Sequence, residues 1–187
     1  MQNAIAQEGY RTFAKEGLRD QSGKPLAWWF DLRRVLLQPK YHVYYRELFW
    51  AHASAWGEFQ LCGPLSSGAV LAGMLAAGAL PPRNCFYVRK ELKNTGPAQL
   101  IEGTPNQRPV VIVDDTINSG RSLMRCVNTV QQAGLTVRAV LIVVRIKHHA
   151  AYAWLDAAGI SLVSLFAREQ FDLSPAGVAV PADPPSQ

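Results

Sequence analysis

The stretch Val110-Val111-Ile112-Val113-Asp114-Asp115-Thr116-Ile117-Asn118-Ser119-Gly120-Arg121-Ser122 decides how this chain is read. Four β-branched residues open it, the pattern of a strand buried on both faces. Two adjacent carboxylates stand at the strand's end. A loop of Thr, Asn, Ser and Gly follows, and a helix is expected to begin near Arg121. Ligands of open parallel sheets bind beyond the carboxyl ends of the strands. A helix N-terminus there offers unpaired N–H groups and a positive dipole end to an anion. The run therefore suits a ligand with hydroxyls for the two Asp and a phosphate for the loop, as a phosphorylated sugar has.

Spacing removes two rival readings. A phosphatase of the haloacid-dehalogenase type needs Asp at i and i+2, and Thr116 occupies i+2. A P-loop needs G-x-x-x-x-G-K-[ST]. The nearest candidate, Gly17 to Lys24, has one residue too many between its glycines, and Pro25 follows the Lys.

Outward from this stretch, strands alternate with helices. Strands are expected at Leu26–Leu32, Phe59–Cys62, Asn84–Val88, Val110–Val113, Val137–Val144 and Ile160–Phe166. Helices are expected at Ala4–Lys15, Pro39–Trp56, Ala69–Ala77, Arg121–Ala133 and His148–Ala157. Leu123, Cys126, Val127 and Val130 recur at i, i+3, i+4 and i+7, an amphipathic core face. Gly134 ends that helix. The aromatic stripe Tyr41, Tyr44, Tyr45, Leu48 and Phe49 reads as core or subunit interface rather than a ligand site. Alternation of this kind implies an α/β fold with a central parallel sheet flanked by helices.

Composition fits that class. The chain has 187 residues, 49% hydrophobic and 18% charged, with a net charge of +5. A single domain over residues 1–170 is expected, followed by a loose tail over 171–187, where Pro175 to Gln187 holds four prolines. No apolar stretch reaches the roughly 20 residues of a membrane span. Glu8 and its polar neighbours leave no apolar core for a signal peptide. Cys62, Cys85 and Cys126 lack metal-site spacing and read as buried free thiols. A cytoplasmic protein is expected. The positive charge is not gathered in a dense Lys/Arg tract, and no zinc-finger or aromatic RNA-binding pattern is present, so a small anionic ligand is favoured over nucleic acid.

The opening stretch closely resembles the motif by which type I phosphoribosyltransferases bind phosphoribosyl diphosphate (PRPP), and all thirteen positions fit. A second constellation, Arg89-Lys90-Glu91-Leu92-Lys93-Asn94-Thr95-Gly96, places three cations within five residues at a strand end. Beside a polyphosphate site, such a loop suits a lid whose cations offset charge on a departing diphosphate. It resembles the flexible catalytic loop of orotate phosphoribosyltransferases, R-K-E-x-K-x-H-G, with a return strand after it. The resemblance runs from about Gly17 to Phe166. Cys62 to Gly68 is similar to the family's pyrophosphate loop, and Ser22-Gly23 followed by Trp28-Trp29-Phe30-Asp31 to its hood region.

The resemblance implies the type I phosphoribosyltransferase fold, with a small hood (about 1–35 plus C-terminal residues) and a flexible loop (about 89–108). It implies transfer of the phosphoribosyl group to a base, orotate above all, with Mg²⁺ as cofactor. Asp114 and Asp115 would hold the ribose hydroxyls, directly or through the metal. Thr116, Asn118, Ser119, Gly120, Arg121 and Ser122 would hold the 5′-phosphate. Arg89, Lys90, Lys93, Leu65, Ser66, Ser67 and Gly68 would hold pyrophosphate. Trp29, Phe30 and Arg145 would meet the base, Arg145 through the orotate carboxylate. The enzyme would be a homodimer in which Lys93 reaches the partner's site, with a catalytic role beside Asp114 and Asp115. Three positions depart from the family: Gln21 and Ser66-Ser67 stand where Lys is usual, and Thr95 where His is usual. They leave open a different base, or a PRPP-binding regulator with little catalysis.

Overall fold

The computed structural model describes residues 1–12, 28–92 and 99–171. Its centre is a six-stranded sheet built from β3 (Gln60–Pro64), β4 (Cys85–Val88), β5 (Ile101–Glu102), β6 (Val110–Ile117), β7 (Val137–Arg145) and β8 (Ser161–Ala167). The spatial order is β5-β4-β3-β6-β7-β8. All neighbours are parallel except β4 and β5, which are antiparallel. The chain lays β4 and β5 on one side of β3, then returns to lay β6, β7 and β8 on the other. The order thus reverses between β3 and β6, and their carboxyl ends frame the crevice where such sheets bind ligands.

Strand alternation divides the core between two faces. Val111, Val113, Leu141 and Val143 pack with Tyr45 and Phe49 of α3 (Pro39–Ala53) and Leu71 and Leu75 of α4 (Ser67–Ala77). Val110, Ile112, Val140 and Ile142 pack on the opposite face with Leu123, Cys126, Val127 and Val130 of α5 (Arg121–Gln132). The amphipathic pattern of α5 is therefore realised residue by residue. Pro39 opens α3 at its first turn, where its missing N–H costs nothing. In the α3 stripe Tyr45 and Phe49 are core, whereas Tyr44 is exposed. Cys62 and Cys126 are buried free thiols, and Cys85 is half-buried.

Several boundaries differ from the sequence expectation. The first helix ends early: a short helix, α1 (Gln2–Ala4), leads through a π-helical turn to Gly9, and β1 (Tyr10–Thr12) follows. β1 pairs antiparallel with β2 (Trp28–Phe30), and this long-range pairing overrides local helix propensity. The strand expected to Leu32 stops at Phe30, because Asp31 and Leu32 turn into a short helix, α2 (Arg33–Leu36), with Arg34 N donating to Asp31 O. The signature strand runs four residues further than expected, to Ile117. It is held there by β7, with Thr116 opposite Val144 and Ile117 opposite Arg145. The last expected helix divides into a 3₁₀ turn, His149–Tyr152, and α6 (Ala153–Ala157).

The two-stranded β1–β2 unit packs against the C-terminal residues. Phe30 lies 5.3 Å from Phe171 and 5.5 Å from Tyr10, centroid to centroid. Phe171, placed by the sequence reading at the start of a loose tail, is buried. Residues 172–187 lie outside the described residues, as do Gln21, Ser22, Gly23, Lys93 and Thr95. No helix among the described residues is long and apolar enough to cross a membrane.

Candidate active site

At the crevice between β3 and β6, two backbones meet so closely that side chains are excluded. A Cβ on Gly63 would lie 2.0 Å from the Gly68 carbonyl. A Cβ on Gly68 would lie 2.6 Å from Val113 O and 3.2 Å from Asp114 Oδ1. The two glycines thus fold the Cys62–Gly68 segment tightly on itself and bring Gly68 against the end of β6 at Asp114. The loop is shorter than expected, since β3 extends to Pro64 and α4 begins at Ser67. The Leu65–Ser66 peptide bond is cis.

Asp114 and Asp115 are half-buried at the end of β6. Asp114 Oδ1 accepts the Asp115 N–H at 2.9 Å, and Asp115 Oδ1 accepts the Thr116 N–H at 2.8 Å. Burial, and then the neighbouring Asp115 charge, push Asp114 well above the usual carboxylate range, while Lys90 pulls it the other way. Behind the pair sits Tyr45, fully buried, its hydroxyl without a hydrogen-bond partner among the described residues. Burial and the two Asp charges raise its ionisation well above the usual phenol range.

Past Ile117 the chain turns through Asn118 and Ser119, both exposed, into Gly120. Gly120 takes a positive φ of 75°, which a side chain would resist, and its carbonyl accepts the first α5 bond from Met124 N at 2.8 Å. No side chain caps α5, so the N–H groups of its first turn remain for a ligand.

Two residues that sequence reasoning missed stand near the site, and one of them, Tyr152, holds this loop. Tyr152 is buried beneath Gly120, its hydroxyl 2.8 Å from Asn118 O and 3.0 Å from Ile117 O, and it accepts the Lys147 N–H at 3.3 Å. One hydroxyl thus ties the anion loop to the segment after β7. Arg33 donates to Asp31 Oδ1 at 2.8 Å and also lies in the field of Asp115. A Tyr 34 residues distant from the loop carries no local motif that could have revealed it.

Arg89 and Lys90 stand at the end of β4 and line a cleft with Pro64, Ser122, Arg125 and Cys126. Sequence reasoning had not singled out Arg125. Arg89 Nη1 lies 3.5 Å from Glu102 on the return strand β5, and its buried Nε has no partner among the described residues. Of the two aromatics expected near the base, Trp29 is 40% exposed, while Phe30 is enclosed by Tyr10, Trp28 and Phe171. Their opposite fates follow from the two-residue period of β2. Arg145 ends β7 beside Ile117, with a side chain only 12% exposed.

Taken together, the arrangement offers paired acceptors for hydroxyls, an N–H cradle for a phosphate, and cations opposite both. No group of three His, Cys, Asp or Glu among the described residues could hold a metal ion alone.

No family model matches the chain. An orotate phosphoribosyltransferase of Bradyrhizobium diazoefficiens is 32% identical over 170 residues, covering 86% of this chain and 90% of that protein. The orotate phosphoribosyltransferase of Mycobacterium tuberculosis in complex with Fe(III) dicitrate superposes with a TM-score of 0.76 at 25% identity, covering 91% of this chain and 96% of that one. The same enzyme in complex with PRPP superposes with a TM-score of 0.64 at 26% identity, over 75% of this chain and 81% of that one.

Proposed function

The chain belongs to the orotate phosphoribosyltransferase family, and on that premise we propose that it transfers the phosphoribosyl group of PRPP to orotate, releasing pyrophosphate and forming orotidine monophosphate. The observation that carries the proposal is the meeting of Gly68 with Asp114 at the β3–β6 crevice, beside the uncapped N-terminus of α5. Ribose hydroxyls, a 5′-phosphate and a diphosphate find complementary groups there within one crevice.

In the transfer, a base nitrogen forms a bond to C1 of the ribose as the bond from C1 to the diphosphate oxygen breaks. Charge develops on the ring and on the departing diphosphate, so the protein's work is positioning and electrostatic. Asp114 and Asp115 accept the ribose hydroxyls. Thr116, Asn118, Ser119, Gly120, Arg121 and Ser122 hold the 5′-phosphate, largely through backbone N–H groups. Arg89 and Lys90, with the Leu65–Gly68 loop, take the diphosphate, and Lys93 of the catalytic loop joins them. Trp29 and Arg145 take the base, the planar guanidinium matching a carboxylate.

The hard oxygen donors of Asp114 and Asp115 suit Mg²⁺, which keeps waters and takes most of its ligands from substrate oxygens. When bound, it would neutralise charge on the diphosphate. The same reading makes the protein a cytoplasmic homodimer in which Lys93 serves the partner's site.

The test is formation of orotidine monophosphate from PRPP, Mg²⁺ and orotate, followed by loss of orotate absorbance and by pyrophosphate release. Orotate-dependent turnover is the expected result. PRPP binding without turnover on any base would replace the proposal with a regulatory role.

A further inference from the structure

At the base end of the crevice, Arg145 is already engaged by a carboxylate of its own chain. Its guanidinium lies 3.6 Å from Glu169 Oε2. Its other amino group donates to Lys147 O. The exposures differ: 12% for the Arg145 side chain against 53% for Glu169. Arg145 is therefore enclosed, and Glu169 reaches it from water.

The contact is built rather than incidental. Glu169 sits in the 3₁₀ turn Arg168–Gln170, directly after β8. Gln170 Oε1 accepts the Ala167 N–H at 2.6 Å, and Gln2 Nε2 donates to Gln170 O at 2.7 Å. Arg168 lies 5.0 Å over the Trp28 ring, and Phe171 is buried against Phe30. Every neighbour of Glu169 in the turn is tied to the hood or to the backbone. Glu169 alone is turned to Arg145.

We infer that Glu169 is a positioning residue that tunes the affinity for a carboxylate-bearing base: it holds Arg145 in the free protein and yields it to a substrate carboxylate. This rests on the reading of the base as orotate. Two carboxylates at one guanidinium repel each other, and the fork takes one in bidentate geometry. An enclosed Arg left unpaired is costly, whereas a half-exposed Glu returns to water at little cost. A base with a carboxylate replaces Glu169 on Arg145. A base without one leaves Glu169 in place and gains nothing from the arginine. Competition inside the protein thereby sets how much of Arg145's attraction a substrate carboxylate can gain, and leaves other bases untouched.

Steady-state kinetics on Glu169→Gln and Glu169→Asp test the inference. Removing the competing charge lowers the KM for orotate by about two- to fivefold, since the displaced contact is a partly exposed ion pair. Glu169→Asp, which keeps the charge, stays close to wild type, and the KM for PRPP does not follow the change. In an Arg145→Ala background, Glu169→Gln has no further effect on orotate, as pairwise coupling requires. An orotate KM that is unchanged or raised in Glu169→Gln, with a wild type that turns orotate over, overturns this inference and leaves the proposed function standing. A wild type that neither binds nor turns over orotate overturns both.

Discussion

Two carboxylates in this molecule live in opposite circumstances. Glu8, at the edge of the hood, is surrounded by donors: Tyr41 and Gln38 hydrogen-bond to it, and Lys40 lies 3.2 Å away. Those bonds, Tyr41's first, lower its pKa from 4.5 to about 2. Asp114, at the end of β6, has one backbone N–H and a like charge beside it, and its pKa is raised. The hood satisfies its own charge within the fold. The crevice leaves its charge short of partners, as a site does when a ligand is to supply them.

The largest effect should come from removing the unsatisfied pair. Asp114→Asn with Asp115→Asn should lower PRPP-dependent turnover by about two to four orders of magnitude, the loss of two charge-assisted hydrogen bonds at about 1.5–3 kcal/mol each. The same change should stabilise the fold. Asp114's folded pKa lies above its unfolded value of 3.8, so the native state binds the extra proton. Its contribution to stability is fully present below the unfolded pKa and is lost as pH rises through the folded pKa. At neutral pH the isosteric amide avoids that loss. Tm should rise by about 2–4 °C, the shift that about 1 kcal/mol produces at this length. Activity and thermal unfolding measured on one preparation check both halves.

Lys90 is the cation that opposes the raised pKa of Asp114. Lys90→Ala should raise the KM for PRPP by about ten- to a hundredfold, one charge-assisted contact's worth. Tyr152→Phe removes the hydroxyl that Ile117 O and Asn118 O share. It should raise the KM for PRPP by about tenfold, with Arg145-dependent orotate binding less affected. The smallest effect belongs to the hood. Glu8→Ala should lower Tm by within about 2 °C at neutral pH, since Glu8 and its partners are at most partly buried. The difference from wild type should be constant above pH 4.5 and vanish as pH falls toward about 2, the sign opposite to that of Asp114.

The same contrast explains what the sequence could reveal. The β6–α5 unit was readable because its information is local: a run buried on both faces, two carboxylates, a glycine, and an apolar stripe on α5. Each of Val110, Ile112, Leu123 and Val130 is buried as the pattern implied. The first helix ends short of the expectation because β1 exists only through its pairing with β2, so Tyr10 begins a strand where local pattern continues a helix. At the carboxyl end of β7 the sequence marked Arg145 but not the residues that meet it. Tyr152 and Glu169 reach the crevice from later turns by tertiary packing, and neither has a spacing that marks it.

The central claim is that the acid pair and the loop before α5 hold PRPP. Calorimetric titration of PRPP with Mg²⁺ into wild type and into the Asp114→Asn, Asp115→Asn variant tests it most directly. The account predicts saturable binding to wild type, and affinity at least about a hundredfold weaker in a variant that remains folded. Equal affinity in the two proteins would contradict it.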